Sequence, residues 1–317
     1  MYYIGVDLGG TSVKVGLVTE NYEIIERAVA PTGLERSTEE ILKGMAMLCK
    51  EVMAKRNLTE KEIHSIGIGC PGLASPVEGI IKKASNLNFD NVNVRKEIQK
   101  YIDVPVYVEN DANAAALGEV ICGAAKGAKD VVVVTLGTGV GGGIIIDGKV
   151  YGGAFSGAGE IGHHVMQIGG IKCGCGRKGC YEQYASATAL IRQAKEAASL
   201  HLDTQMIALA KNHSIEEINA KVVFDAAQAG DAVAVSVLDT YFKYVAHGVA
   251  NLINILQPQM IVLGGGMSAQ KEKLTGPVIH YVEQEIYGGL KLETEIKAAE
   301  LGNDAGIIGA AFVGTRL

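Results

Sequence analysis

Apolar residues open the chain in short runs, Tyr2–Val6, Val13–Val18 and Ile24–Ala30, with a turn at Gly9–Ser12 between the first two. Runs of this length broken by glycine and polar residues predict a β-meander. Ser37 stands three residues before Glu40, the capping-box signature, and Ile41, Met45, Leu48 and Val52 follow at helical spacing. A helix to about Lys55 is therefore expected. His64–Gly69 reads as a strand ending in Cys70-Pro71-Gly72, and the polar stretch from there to about Asn93 reads as turns. A helix near Arg95–Tyr101 and a strand over Val104–Val108 follow. That strand ends at Glu109-Asn110-Asp111, before an Ala-rich helix over Ala112–Val120.

The pattern then restarts. Asp130–Leu136, with four consecutive valines, reads as a strand that turns through glycines into a second strand at Gly142–Ile146. Asp147-Gly148 is a hairpin turn leading to a third strand at Lys149–Tyr151. Asp7-Leu8-Gly9-Gly10-Thr11 and Thr135-Leu136-Gly137-Thr138-Gly139 both run a buried strand into a Leu-Gly turn. This is the mark of an internal duplication and of two similar lobes. Gly152–Tyr184 is an irregular insert. Beyond it, Ala187–Ser199, Ile215–Ala229 and Ala232–Leu256 read as helices, and Met260–Leu263 as a strand ending in Gly264-Gly265-Gly266. A further helix, a strand at Thr294–Leu301 and a small-residue helix at Ala305–Val313 finish the chain.

At about 150 residues per domain, 317 residues fit two domains with full cores. The 41 glycines, about 13% of the chain against a usual ~7%, imply many tight turns or close backbone approaches. A formal net charge of −6 gives no reason to bind nucleic acid or an anionic membrane. Met1–Gly10 has no basic region and is interrupted by Asp7 and three glycines, so it does not read as a secretory signal. Val131–Ile146 is too short and too glycine-rich to cross a bilayer. The cytoplasm is the expected location.

Asp7-Leu8-Gly9-Gly10-Thr11-Ser12 and Gly137-Thr138-Gly139-Val140-Gly141 place bare backbone N–H groups and hydroxyls at strand turns, where they can wrap phosphate oxygens. Hairpins need glycine anyway, so the weight falls on their matched positions. A dinucleotide fingerprint is excluded in the second turn, because a strand and not a helix follows it. Asp7 ends an apolar strand, where a bare carboxylate is costly; a place near Mg²⁺ or a capped turn would account for it. Asp111, near a helix N-terminus, can orient a hydroxyl for attack on a phosphoryl group. It can equally be the helix N-cap. Gly264–Gly266 could let a flat or phosphorylated ligand lie on backbone, or could serve loop geometry alone.

Glu160-Ile161-Gly162-His163 is followed by Cys173, Cys175 and Cys180 within eight residues. One imidazole and three thiols form a Cys₃His set suited to a closed, structural Zn²⁺ site, with free thiols or a redox pair as the alternative. Spacing does not separate His163 from His164 as the nitrogen ligand. Glu160 and Glu182 flank this cluster as candidates for a polyhydroxylated ligand or as surface carboxylates. Cys49, Cys70 and Cys122 read as core residues.

Together these residues resemble the ROK (repressor, open reading frame, kinase) family of sugar kinases, and within it most closely the bacterial glucokinases. The resemblance runs over essentially the whole chain. It is carried by Asp7-x-Gly9-Gly10-Thr11-x-x-Lys14, Glu109-Asn110-Asp111-Ala112-Asn113 and Leu136-Gly137-Thr138-Gly139-x-Gly141-Gly142. Glu160-x-Gly162-His163, the Cys173–Cys180 cluster and Leu301-Gly302-Asn303-Asp304-Ala305-Gly306 complete it. It implies an α/β, two-lobed actin/hexokinase-like (ribonuclease H-like) fold of duplicated βββαβα units with a zinc-bearing insert at about 152–184. The smaller lobe would comprise 1–112 with 303–317, and the larger one 113–302.

The implied reaction is ATP- and Mg²⁺-dependent phosphorylation of a hexose at its 6-hydroxyl, glucose first, between lobes that close against water. N-acetylglucosamine, N-acetylmannosamine, mannose, fructose or allose kinases, and a sugar-sensing regulator, are the alternatives. By the resemblance Asp111 is the base, and Asn86, Asn110, Glu160, His163 and Glu182 hold sugar hydroxyls. Asp7, Gly9, Gly10, Thr11 and Lys14, with Gly137, Thr138 and Gly139, serve ATP phosphates, and Gly264, Gly265 and Gly266 the adenosine. His163, Cys173, Cys175 and Cys180 bind the zinc, His163 through one ring nitrogen, with the other left for sugar. A homodimer is the assembly the resemblance implies. The turn Leu73-Ala74-Ser75-Pro76 departs from the Val-Asp of many glucokinases and from the Arg of N-acetylmannosamine kinases. The first phosphate turn begins at Asp7, which is not expected to follow the helix-turn-helix of the repressors.

Overall fold

The structure, a computed structural model, describes residues 1–315. β1 (Tyr2–Leu8), β2 (Ser12–Thr19) and β3 (Ile24–Pro31) form the expected antiparallel meander. α1 (Thr38–Ala54) starts at the capping box: Glu40 N donates to the Ser37 hydroxyl, and Ser37 N donates to the Glu40 carboxylate. Its buried face carries Ile41, Met45 and Val52. β4 (Ile63–Cys70) then pairs parallel to β1.

The stretch expected to be turns instead holds a small antiparallel sheet of β5 (Leu73–Ser75), β6 (Ile80–Ala84) and β7 (Phe89–Asn93). Its apolar residues are few but well placed, since Ala74, Ile81, Ala84 and Phe89 are all buried. α2 (Val94–Gln99) leads to β8 (Val106–Asn110), which begins two residues later than expected because Pro105 has no N–H for a ladder. α3 (Asp111–Cys122) follows directly.

β9 (Val131–Leu136), β10 (Val140–Ile146) and β11 (Lys149–Val150) repeat the meander. The insert ends in α4 (Glu182–Ala185), and α5 (Ala187–Leu200), α6 (Gln205–Leu209), α7 (Ala220–Gln228) and α8 (Ala232–Leu256) come next. α7 starts at Ala220, not at Ile215, because the Asn219 side chain caps it, accepting from Val222 N. β12 (Met260–Gly264), α9 (Glu272–Glu285), β13 (Glu295–Ala298) and α10 (Ala305–Phe312) complete the order. No helix among the described residues is long and apolar enough to cross a membrane.

The two large sheets have orders β3-β2-β1-β4-β8 and β11-β10-β9-β12-β13, one strand pattern used twice. The chain divides into two compact units: Met1–Val133 with Gly142–Gly159 and Ala299–Leu317, and Val134–Gly141 with Glu160–Ala298. In the first unit α1 and α2 share one apolar core with the sheet, while α3 and α10 form a second around Leu117, Ile307 and Phe312. α10 reaches the sheet because nothing projects between them. A Cβ on Gly67 of β4 would stand 1.7 Å from Ala310 O, and one on Gly309 would stand 1.6 Å from Ala114 O. In the second unit Asp231 caps α8: Ala234 N, the Thr204 hydroxyl and Gln205 N all donate to its carboxylate, which ties α6 to α8.

Candidate active site

In the first unit the β1–β2 turn is fixed by backbone. Gly9 N donates to Ser12 O at 3.0 Å, and Thr32, fully buried, donates through its hydroxyl to Gly9 O at 2.6 Å. Thr32 also donates through its N–H to Thr11 O, so it pins both sides of a turn that leaves Thr11 exposed. Asp7 is compensated by an ion pair with Lys14 Nζ at 3.1 Å. It also faces the start of α10: a Cβ on Gly306 would stand 3.7 Å from Asp7 Cγ. A helix N-terminus favours a carboxylate there, so Lys14 and α10 both compensate the Asp7 charge, for which the sequence offered a place near Mg²⁺ or a capped turn.

Asn86 lies against this turn, its Cβ 3.9 Å from where a Cβ on Gly10 would be. Two residues before it, Ala84 packs on Gly72, whose φ of +89° and contact with Lys83 O admit no side chain. Gly72 O accepts from Asn110 Nδ2 at 3.0 Å. Asn110 is the N-cap of α3, accepting through Oδ1 from Ala112 N at 2.9 Å and Asn113 N at 3.2 Å. Asp111 is therefore not the cap. It occupies the first position of the helix and also accepts from Ala112 N at 2.9 Å. Its charge, after burial, pushes the thiol of Cys70 upward.

Beneath them Glu109 is buried, and its Oε1 accepts from Asn110 N at 2.8 Å and from Asn113 Nδ2 at 3.0 Å. Burial raises the Glu109 pKa against those two donors.

In the second unit the glycine turn after β9 meets Glu182. Val140 N donates to Glu182 Oε2 at 3.1 Å, and a Cβ on Gly139 would stand 2.2 Å from the same oxygen. Thr138 is exposed at the tip of this turn. Gly265, at φ +73°, lies on the backbone of Leu136, 2.6 Å from its O to an added Cβ, so Gly264–Gly266 adjoins Gly137–Gly139. Gly162 packs on Val140 O, which brings the Glu160–His163 turn to the same place. Glu160 Oε2 and His163 Nε2 are 4.0 Å apart.

The other ring nitrogen of His163 faces the cysteines. Its Nδ1 is 3.6 Å from Cys173 Sγ, Cys175 Sγ is 3.6 Å from Cys180 Sγ, and one ligand atom from each of the four residues lies within 4.8 Å of all the others. Tetrahedral zinc with arms of about 2.3 Å to sulfur needs edges of about 3.8 Å, so the donor set and its spacing fit that ion. His164 is not in the group: its ring is turned to Ile161 O through Nδ1 and stacked on Tyr181. The N–H of Arg177 holds the Cys175 thiol below its ordinary value, while burial pushes Cys180 up to about 12.

The ROK family pattern matches residues 3–316. The chain belongs to the ROK family. Its fold is accordingly the actin/hexokinase-like one of ROK sugar kinases. It is 37% identical over 313 residues to a glucokinase of Halalkalibacterium halodurans, covering 98% of this chain and 94% of that protein. It is 31% identical to a xylose repressor of Caldicellulosiruptor bescii, covering 96% of this chain and 76% of the repressor. The crystal structure of a ROK family glucokinase from Streptomyces griseus, in complex with glucose and AMPPNP, superposes with a TM-score of 0.83 at 34% identity, with 98% of each chain covered.

Within this ROK chain the first unit brings together Asp7, Gly9, Gly10, Thr11, Lys14, Asn86, Asn110 and Asp111. The second brings together Gly137, Thr138, Gly139, Glu160, His163, Glu182, the three cysteines and Gly264–Gly266. Sequence reading missed Thr32 and passed over Glu109 and Asn113 as bystanders in a motif.

Proposed function

We propose that this hexokinase transfers the γ-phosphoryl group of ATP, with Mg²⁺, to the 6-hydroxyl of D-glucose. The observation that carries the reading is that Asn110 takes over the capping of α3, so that Asp111 stands just inside the helix with a role other than the cap. A hydroxyl donating to the Asp111 carboxylate is oriented for in-line attack. As its oxygen bonds to phosphorus, the proton passes to Asp111 and ADP leaves with the bridging oxygen. Asn86, Asn110, Glu160, His163 and Glu182 bind the sugar hydroxyls. The turns at Gly9–Thr11 and Gly137–Gly139 offer N–H groups and hydroxyls to phosphates, with Asp7 and Lys14 at the first, and Gly264–Gly266 borders the adenosine. Little covalent chemistry is asked of the protein, and positioning with charge neutralisation supplies most of the rate.

A zinc ion held by His163, Cys173, Cys175 and Cys180 would brace the insert and fix the His163 ring through Nδ1, leaving Nε2 for the sugar. Kinases of the other hexoses share these hydroxyl-binding groups, and the sugar panel separates them. The test is a coupled assay with ATP, Mg²⁺ and D-glucose, D-mannose, D-fructose, D-allose, N-acetyl-D-glucosamine and N-acetyl-D-mannosamine. The expected result is ADP release that depends on hexose and is fastest with D-glucose. Hexose binding without turnover on any of the six would make the chain a sugar-sensing regulator and overturn the kinase.

A further inference from the structure

Phe155 is used neither by the phosphoryl transfer nor by the cysteine cluster. It is 86% exposed, so its ring is free to meet a ligand. The loop that carries it, 152–159, is built rather than slack. Ala158 N donates to Gly152 O at 3.0 Å and Ser156 N to Gly153 O at 3.4 Å. Gly153, Ser156 and Gly159 take φ of +70°, +60° and +93°. Ser156 has a Cβ, so its left-handed backbone is held at a cost by the surrounding loop, and it turns the chain just after Phe155.

The same loop has two anchors, one on each side of the Asn110–Asp111 corner. A Cβ on Gly157 would stand 3.2 Å from Leu73 Cδ2, and one on Gly159 would stand 3.7 Å from Asn113 Oδ1. Leu73 follows Gly72, which accepts the Asn110 amide, and Asn113 lies in the first turn of α3 after Asp111. Leu73 is itself 36% exposed, so an apolar side chain lies where the loop that carries Phe155 meets this corner. Asn113 Oδ1, buried and without a partner among the described residues, leaves an unspent acceptor beneath the loop.

A pyranose has hydroxyls around its edge and C–H groups on its faces, and an aromatic ring suits the faces. We propose that Phe155, backed by Leu73, is the apolar platform on which a C–H face of the bound hexose rests. A sugar that turned an axial hydroxyl onto this platform would bury it without a partner and be rejected. The inference rests on the hexose reading of Asn110 and Asp111.

The chain contains no tryptophan, so Phe155→Trp introduces a single indole reporter. Calorimetry on the wild-type protein first establishes which of D-glucose, D-mannose, D-fructose and N-acetyl-D-glucosamine binds without ATP. If none binds, the hexose reading itself falls. With the sugar that binds, the emission of Phe155→Trp shifts to the blue as the indole is covered. A control reporter outside this loop, Leu200→Trp at the end of α5 (Leu200 is 80% exposed), does not shift. Phe155→Ala raises KM for that hexose by about tenfold, with KM for ATP changed by less than about twofold. A silent Phe155→Trp in the presence of a bound sugar, or equal shifts at both reporters, overturns the platform.

Discussion

Asp111 and its neighbours divide their tasks by hydrogen-bond chemistry. Asn110 has an acceptor for the helix N–H groups and a donor for Gly72 O, so it does the structural work of the corner. Asp111→Asn keeps the side-chain shape and the helix start but removes the proton acceptor. The expected outcome is a fall in kcat of about 10²- to 10⁴-fold, with the hexose Kd changed by less than about threefold in calorimetry. Equal loss of binding would make Asp111 a structural residue.

Glu109 is a second test at this scale. A carboxyl that burial raises holds its proton longer in the folded chain than in the unfolded one. Its contribution to stability is therefore full below the unfolded value and is lost as pH rises through the folded value. Glu109→Gln keeps an acceptor for Asn110 N and Asn113 Nδ2 but cannot titrate. Wild-type stability relative to this variant should decline in thermal melts as pH rises above the ordinary carboxylate range, and a constant difference would refute the assignment. Neither neighbour was legible beforehand, because burial at a strand end depends on which layer covers it. The choice of Asn110 over Asp111 as cap was equally hidden, since both types cap helices well.

At the scale of elements, α1 was readable to its cap because all of its determinants are local: Ser37, Glu40 and a regular apolar stripe. The sheet of β5, β6 and β7 was not, because its strands are three to five residues long and draw their order from pairing with one another. The insert lies between these cases. Its donor types and glycines were plain in the chain, whereas the choice of His163 over His164 needed the Nδ1 contact with Cys173. The insert has two isolated bridges, Val165 to Cys180 and Lys172 to Lys178, so a metal would carry much of its order. Cys175 is exposed, and its replacement removes little buried apolar area. Cys175→Ser should therefore lose zinc by elemental analysis and melt about 5 °C or more lower, through the ion alone. A variant that keeps its zinc and its melting temperature would refute the four-ligand site.

Across the whole molecule, the repeat of strand order in two sheets was legible from two Leu-Gly turns placed 128 positions apart, because a duplicated unit must duplicate its turns. The assignment of the far end of the chain to the first lobe came from the family resemblance alone, since no local pattern says where a C-terminal helix will dock. The structure shows two devices for this docking: glycines that let α10 lie on bare backbone, and Glu119. This carboxylate, 1% exposed at the end of α3, accepts from Ala124 N at 2.8 Å, Leu301 N at 3.0 Å and Glu300 N at 3.2 Å. It thereby holds the segment that enters α10, and Arg27 on β3 holds the same segment through a two-pronged pair with Asp304 at 2.7 and 2.8 Å. The Arg27 pair is exposed and screened by solvent, so the buried carboxylate is the stronger tie. Glu119→Gln retains the volume but replaces one acceptor oxygen with a donor that faces N–H groups. Hydrogen exchange at Glu300 and Leu301 should then speed up by about 10- to 100-fold, with the unfolding free energy from urea titration lowered by about 1–3 kcal/mol. Arg27→Ala should move both quantities far less. If the two variants are equal, or if exchange at Glu300 and Leu301 does not change, the chain end is held by the packing of α10 alone.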